Sequence, residues 1–238
     1  MNKNQHTITY SQVIHLSQII DTNIPQWPGD PPVEFSSVAH IPEDGYYLRR
    51  FSLGEHSATH INAPKSFHEN GVGIDQYSAE SLVLPGVVID ICTDARLNSD
   101  YTLTVTDVLA WEEKNGKIAA GSLVLLYTGW QDKWLDKDRF FNQDESGIMH
   151  FPGFSYNVTQ FLLAERKIAG LGIDTHGVDP GKFGTFEINY LVLAQQGIVL
   201  ENLTNLNYLP AKGITVIIGV LRLRDGSGCP VGVLALSP

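Results

Sequence analysis

The chain has 238 residues, of which 43% are hydrophobic and 18% are charged, and its formal net charge is −10. These values predict one globular domain over residues 1–238 with a full core. The acidic balance excludes a basic nucleic-acid-binding face, and no apolar run approaches the about 18 residues of a membrane span. The first residues lack the apolar core of a signal peptide, so we expect a soluble cytoplasmic protein. The two cysteines are expected to be free thiols.

Taken in chain order, the sequence predicts an arm followed by alternating strands and helices. Residues 1–50 are rich in turn formers, as in Pro25–Pro32, and predict an extended N-terminal arm. Short apolar runs predict buried strands at 83–91, 122–127, 169–174 and 213–220. Helices are predicted from Thr106 or Asp107 to near Gly116, at 157–167, and at 189–196 before Gly197. This alternation favours an α/β or α+β domain with a largely buried sheet.

The stretch at residues 54–68 carries the clearest chemical signal. It places His56, His60 and Asn62 within seven residues, and such nitrogen and carbonyl ligands suit a divalent ion such as Zn²⁺ or Mn²⁺. On a helix the two histidines share a face, whereas on an extended strand they lie about 13 Å apart. A shared ion on a strand therefore requires a turn at 57–59, where no glycine makes one easy. The alternative is a pair of hydrogen-bonded histidines near the surface.

Several short segments, in order, resemble the metal-dependent cyclase family, which includes bacterial kynurenine formamidases and isatin hydrolases. The family motif is His-x-Gly-Thr-His-x-Asp-x-Pro-x-His, and residues 56–66 read His-Ser-Ala-Thr-His-Ile-Asn-Ala-Pro-Lys-Ser. The other matching segments are IHLS at 14–17, PQWPGD at 25–30, LYTGW at 126–130, FPG at 151–153, GIDT at 172–175 and ENLTNL at 201–206. The resemblance implies a single-domain swivelling β/β/α fold of the α/β class. It also implies a homodimer or homotetramer in which the N-terminal arm reaches across.

The resemblance further implies which residues bind metal. In the family the two motif histidines and the aspartate bind one ion, and the aspartate can bridge to a second. The corresponding positions here are occupied by His56, His60, Asn62, Ser66 (third motif histidine), Asn189 (helix histidine) and Glu201 (retained glutamate). A neutral amide bridges two cations poorly, and a serine hydroxyl is a weak ligand. We therefore expect one Zn or Mn ion, held by His56, His60, Asn62 and Glu201, and no second ion.

The catalytic and substrate-binding residues are predicted as follows. Because Ser66 replaces the family's base, His176 at an apparent strand end and His68 are the candidate substitutes; otherwise both are loop histidines. Trp27, Trp130 and Phe151 are candidates for an aromatic pocket; otherwise they are core residues.

These residues together predict a hydrolase. We expect a metal-dependent, arylformamidase-like enzyme that cleaves an amide, formamide or cyclic amide C–N bond in a small, aromatic molecule. The alternatives are a binding protein that has lost the metal centre, and a lactone hydrolase with altered metal geometry. No nucleic-acid or membrane partner is expected.

Overall fold

Residues 7–238 are described by a computed structural model, and their main feature is an eight-stranded sheet. The strands are β1 (Gln12–His15), β2 (Glu34–Ala39), β3 (Leu48–Ser52), β4 (His60–Asn62), β5 (Val83–Asp90), β6 (Thr102–Leu103), β7 (Leu123–Tyr127), β8 (Gly153–Phe154), β9 (Gly170–Ile173), β10 (Ile198–Glu201), β11 (Lys212–Val220) and β12 (Gly228–Ser237). The sheet order is β1-β12-β11-β5-β7-β9-β10-β4, and β4 also pairs with β12. The sheet therefore closes on itself in the manner of a barrel.

The middle of this sheet is parallel and buried on both faces. Strands β5, β7, β9 and β10 pair in parallel, whereas β4, β11 and β12 pair antiparallel with their neighbours. Along β7, Leu123 and Leu125 belong to one apolar cluster, and Val124 and Leu126 belong to a second one. All four predicted strands are present, as β5, β7, β9 and β11. Their sequences are continuous apolar runs because side chains on both faces of the sheet are buried.

Six α-helices are present in the described range. They are α1 (Ile41–Asp44), α2 (Cys92–Leu97), α3 (Val105–Asn115), α4 (Lys137–Phe141), α5 (Tyr156–Phe161) and α6 (Glu187–Leu193). Helix α3 begins after Thr104, two residues before the predicted cap, because Thr104 and Asp107 form a reciprocal capping box. Helix α5 continues into a π-helical turn at Leu162–Arg166, which together cover the predicted segment 157–167. None of the described helices is long and apolar enough to span a membrane.

The N-terminal segment is only partly an arm. Strand β1 pairs with β12 over four residues, so it belongs to the main sheet. Strands β2 and β3 form a separate two-stranded hairpin, and most of its side chains are exposed. Residues 1–6 of the predicted arm lie outside the described residues.

Candidate functional site

The pairing of β4 with β10 brings three of the predicted ligands together. His60 and Asn62 lie two residues apart on β4, and His60 is directly opposite Glu201 in the antiparallel register. Side chains at alternate strand positions share a face. As a result, Nε2 of His60 lies 3.0 Å from Oε2 of Glu201, and both side chains are buried.

A turn between the two motif histidines brings His56 back to this group. Ala58, at the position where the family motif has glycine, adopts a left-handed backbone with φ of 54°. Its carbonyl accepts a hydrogen bond from Nδ2 of Asn202 at 2.9 Å, and Thr59 Oγ1 donates to the Asn202 carbonyl at 2.6 Å. The rings of His56 and His60 are consequently 5.2 Å apart between centroids. The turn that a shared ion requires is therefore present without a glycine.

Two hydrogen-bond acceptors face each other between His56 and Asn62. The Asn62 amide nitrogen donates to Asn189 Oδ1 at 2.9 Å and to Glu201 Oε2 at 3.0 Å, so Asn62 Oδ1 is the atom 2.8 Å from Nδ1 of His56. The other ring nitrogen, Nε2, lies 2.9 Å from Ser227 Oγ, whose one proton is donated elsewhere, to a carboxylate. Nε2 of His56 must therefore carry the ring proton, which leaves the lone pair of Nδ1 directed at Asn62.

The charge state of His56 reinforces this conclusion. Burial, followed by the nearby His60, lowers the pKa of His56 below its ordinary value. The neutral imidazole is therefore favoured at neutral pH. A neutral ring with Nδ1 unprotonated leaves two lone pairs in contact with each other, and a cation bound by both atoms would remove that conflict.

The same pattern occurs between His60 and Glu201. Nδ1 of His60 donates to the Ala58 carbonyl at 2.9 Å, so Nε2 of a neutral ring directs its lone pair at the carboxylate. Either a proton or a metal cation must lie between these two atoms. Burial raises the pKa of Glu201, but a His60 ring that is protonated at Nε2, followed by the Val178 amide and the Asn189 side chain, holds that pKa below its usual value. The carboxylate is therefore negatively charged and suited to a cation.

The donor set fits a single divalent ion. The potential ligand atoms lie in two close pairs, Nδ1 of His56 with Oδ1 of Asn62, and Nε2 of His60 with Oε2 of Glu201. Within residues 7–238 no three His, Cys, Asp or Glu side chains form by themselves a group that could hold a metal ion. The Asn62 oxygen would be an additional ligand beside the two histidines and Glu201.

The residues at the expected second-ion positions are engaged in hydrogen bonds. Ser66 Oγ donates to the Ser227 carbonyl. Nδ2 of Asn189 donates to Glu201 Oε1 at 3.2 Å and to Asp179 Oδ2 at 3.0 Å, so one amide bridges two carboxylates. Both side chains are thus engaged in hydrogen bonds within the protein.

The predicted ligand residues line an aromatic-walled cavity of about 500 Å³. Trp27, Phe67, Phe151 and Phe186 contribute to its wall. The Phe186 ring is 6.0 Å from Trp27 and 5.6 Å from Phe67, and its backbone is left-handed with φ of 53°. Such a backbone is strained for a bulky residue, and strain of this kind is concentrated at functional sites. The wall suits a flat, apolar molecule.

His176 lies in the cavity wall within an aromatic surround. Its ring stacks on Phe141 at 5.1 Å and contacts Phe140 edge-on at 4.5 Å. Among the described residues its Nε2 has no hydrogen-bond partner although it is buried. Burial lowers the pKa of His176 to about 3, so the ring is neutral at pH 7. A neutral ring with an unused polar atom is suited to a hydrogen bond with a bound molecule rather than to a permanent charge.

Asp179 is a cavity-lining residue that sequence reasoning did not single out. Its carboxylate accepts from the backbone amides of Ile188 and Asn189 at the start of α6, and from the Asn189 side chain. Burial raises the pKa of Asp179 to about 6 despite these bonds. The only signal for it in the sequence was its place in the segment that follows β9.

Trp130 and His68 were predicted as a pocket residue and a catalytic residue, but neither side chain lines the cavity. The Trp130 indole is buried and donates to the Phe140 carbonyl at 2.9 Å, so it packs in an apolar cluster beside the cavity. Nε2 of His68 is 3.1 Å from the Tyr190 carbonyl, and this side chain lines a separate surface depression. In both cases the ring nitrogen is paired with a backbone carbonyl of another segment.

Comparison with known proteins identifies relatives over almost the whole chain. The family model described as "Putative cyclase" matches residues 14–180. The chain belongs to this cyclase family. An isatin hydrolase from Roseibium aggregatum is 32% identical over 95% of this chain and 92% of its own length. A kynurenine formamidase from Bacillus cereus is 24% identical over 93% of this chain and 95% of its own length.

Solved structures agree with the fold. Isatin hydrolase A from Ralstonia solanacearum superposes with a TM-score of 0.90 at 32% identity, covering 95% of this chain and 92% of that one. A protein described as a potential metal-dependent hydrolase with cyclase activity, 20% identical, has a TM-score of 0.71 and covers 94% of this chain and 96% of that one. The predicted family, the cyclase-like α/β fold and the class of enzyme, a hydrolase that acts on small molecules, are confirmed by these relatives.

Proposed function

We propose that this member of the cyclase family is a metal-dependent hydrolase that cleaves an amide or cyclic amide C–N bond in a small aromatic molecule. The observation that carries the proposal is the two close contacts in the wall of the aromatic cavity, His56 Nδ1 to Asn62 Oδ1 at 2.8 Å and His60 Nε2 to Glu201 Oε2 at 3.0 Å. Isatin hydrolase, the relative at 32% identity, supports a cyclic amide as the first substrate to test.

We propose that one Zn or Mn ion is held by His56, His60, Asn62 and Glu201. When bound, such an ion supplies Lewis-acid polarisation of a carbonyl and lowers the pKa of water. The positive charge also requires that the histidines stay deprotonated at the ligating atoms, which burial of His56 favours. The engaged side chains of Ser66 and Asn189 support a single ion rather than two.

The remaining residues of the cavity are proposed to bind the substrate and move protons. Trp27 and Phe151 line the wall and pack against the flat faces of an aromatic ring. His176 directs a hydrogen bond at the polar part of the substrate, because its buried Nε2 has no partner in the described protein. Asp179, with a pKa of about 6, is the cavity carboxylate suited to exchange a proton near neutral pH.

A second copy of the chain is the proposed partner, in a homodimer or homotetramer. The β2–β3 hairpin exposes large apolar side chains, among them Val38, Tyr46 and Phe51. A lone two-stranded hairpin is marginally stable in water, which favours its packing on another subunit. The cytoplasm is the proposed compartment, because Cys92 and Cys229 are both free thiols.

The proposed function is tested by metal content and hydrolysis together. Protein purified without chelator is analysed by elemental mass spectrometry and then assayed with isatin and with an aryl formamide. We expect about one equivalent of Zn or Mn per chain, turnover of at least one amide, and loss of both in His60→Ala. His15→Ala is the matched control, because His15 lies on β1, away from the cavity. Two tightly bound equivalents contradict the single-ion centre. Binding of the aromatic amides without metal or turnover favours the alternative of a small-molecule-binding protein, and turnover of lactones alone favours the altered-geometry hydrolase.

A further inference from the structure

Ser227 contacts the edge of the His56 ring that is directed away from Asn62. Its Oγ is 2.9 Å from Nε2 of His56, while Nδ1 of the same ring faces Asn62. Ser227 directly precedes β12, and the pairing of β12 with β4 sets Gly228 opposite Asn62. The serine is therefore placed by the same sheet register that places the ligand strand.

Glu55 determines which way the Ser227 hydroxyl points. Its Oε2 accepts from the Ser227 backbone amide at 2.8 Å and from Ser227 Oγ at 2.5 Å. Because a hydroxyl has one proton and that proton is directed at Glu55, Oγ can only accept from His56. The Nε2–H form of His56 is thereby selected, and the Nδ1 lone pair is presented to the cavity.

Ser66 secures the same turn from the other side. Its hydroxyl donates to the Ser227 carbonyl, and it occupies the position at which the family motif has its third histidine. Instead of contributing a ligand to a second ion, this position supports the residue that orients His56. The presence of serine rather than histidine at position 66 therefore has two effects. It removes a ligand of a second ion, and it supplies a hydrogen bond to the residue that orients His56.

The glycines on both sides of Ser227 allow this close approach. A Cβ on Gly228 would lie 2.8 Å from Cε1 of His56, and one on Gly226 would lie 3.1 Å from Oε1 of Glu55. The first distance is shorter than real Cβ contacts, and the Ile61 carbonyl oxygen lies closer still, so a larger residue at position 228 would displace both β4 and the His56 ring. Glycine at positions 226 and 228 therefore leaves room for Glu55 and His56 beside Ser227.

We propose that Ser227, anchored by Glu55 and Ser66, is a positioning residue that fixes the tautomer of His56 and aims its Nδ1 as a metal ligand. This inference rests on the one-ion centre of the proposed function. A hydrogen bond to the non-ligating nitrogen of a metal-bound histidine orients the ring and raises its basicity, and removing such a bond costs about 10- to 100-fold in metal affinity.

The first test measures metal affinity without any substrate. The dissociation constants of Zn²⁺ and Mn²⁺ are determined by isothermal titration for the wild type, Ser227→Ala, Ser227→Thr and Ser17→Ala. We expect Ser227→Ala to bind about 10- to 100-fold more weakly, and Ser227→Thr to retain most of the affinity because it keeps the hydroxyl. Ser17→Ala is the matched control, since Ser17 also makes two hydrogen bonds, to Val231 and Val233, but away from His56.

The second test observes the tautomer itself. Long-range ¹H–¹⁵N spectra of ring-labelled, Zn²⁺-loaded protein are expected to show His56 protonated at Nε2 in the wild type and a mixture of forms in Ser227→Ala. Wild-type affinity of Ser227→Ala, or an Nδ1–H form of His56 in the wild type, overturns the role of Ser227 while leaving the ion centre intact. A wild-type protein that binds neither ion overturns the ion centre, and with it this inference.

Discussion

The substitution Asn62→Asp restores the family's aspartate at a position whose neighbours accept hydrogen bonds from an amide. Asn62 Nδ2 lies 3.0 Å from Glu201 Oε2 and 2.9 Å from Asn189 Oδ1, and a carboxylate there faces two acceptors instead. At an effective dielectric constant of about 20, two charges 3.0 Å apart repel by about 5 kcal/mol. Keeping the new carboxyl protonated at pH 7 costs less, about 4 kcal/mol, because its ordinary pKa is near 3.9. We therefore expect the variant to take up a proton and lose about 4 kcal/mol of unfolding free energy.

The sign of the pH dependence follows from the raised pKa of the introduced carboxyl. A group whose folded pKa is raised loses its stabilising contribution as the pH rises, so the deficit of the variant shrinks to about 1.5 kcal/mol at pH 5. For a chain of this length, 4 kcal/mol corresponds to a decrease in Tm of about 8–16 °C. Added Mn²⁺ or Zn²⁺ is expected to recover this loss, because a cation replaces the proton between the two carboxylates.

The assay is thermal unfolding of the wild type and Asn62→Asp at pH 5 and pH 7, with chelator and with Mn²⁺. Asn207→Asp is the matched control, because Asn207 uses its Oδ1 to accept from Gln131, and an aspartate preserves that role. A Tm of Asn62→Asp equal to that of the wild type at pH 7 in chelator refutes the reasoning. So does a metal-induced rise that is no larger in Asn62→Asp than in the wild type.

Three further outcomes are expected. Burial raises the pKa of Asp174 to about 6, so as the pH rises from 4 to 7 the wild type should lose about 2.4 kcal/mol more unfolding free energy than Asp174→Asn, as measured in urea; parallel curves contradict this. At Ala58, whose φ is 54°, valine should destabilise by about 3 kcal/mol or more and glycine should change the stability by less than about 1 kcal/mol in the same assay. Isatin should quench tryptophan fluorescence in the wild type, after correction for its absorbance, and do so much less in Trp27→Phe, because Trp27 lines the cavity; undiminished quenching excludes Trp27 as a contact.

The sequence predicted the elements and residues whose signal is local. The runs near 83–91 and 213–220 form β5 and β11, because continuous apolar residues suit a sheet buried on both faces. His56, His60 and Asn62 were grouped because they lie in one short motif, whereas Glu201 was added to them only by the resemblance to the cyclase family. Their predicted role as ligands remains a proposal.

What the sequence did not predict depends on contacts between distant segments. Ser227 and Glu55 are 172 positions apart, and nothing in either neighbourhood signals that they meet behind His56. Trp27 and Trp130 were both predicted as pocket residues, with Trp27 preferred, and only Trp27 lines the cavity, because the Trp130 indole donates to a carbonyl in the core. Asp179 was missed because a raised pKa is a property of burial, which a single aspartate in a loop does not reveal.

The ligand strand β4 has a neighbour on each side, β10 and β12, so it closes the ring of strands rather than forming an edge. The backbone beneath His60 and Asn62 is therefore secured by strand pairing and does not need an ion to hold its shape. The fold of this part of the sheet therefore does not depend on which side chains occupy positions 60 and 62. Residues at the ligand positions can be exchanged over evolutionary time, one ion lost or another hydrogen bond gained, while the scaffold that presents them remains in place.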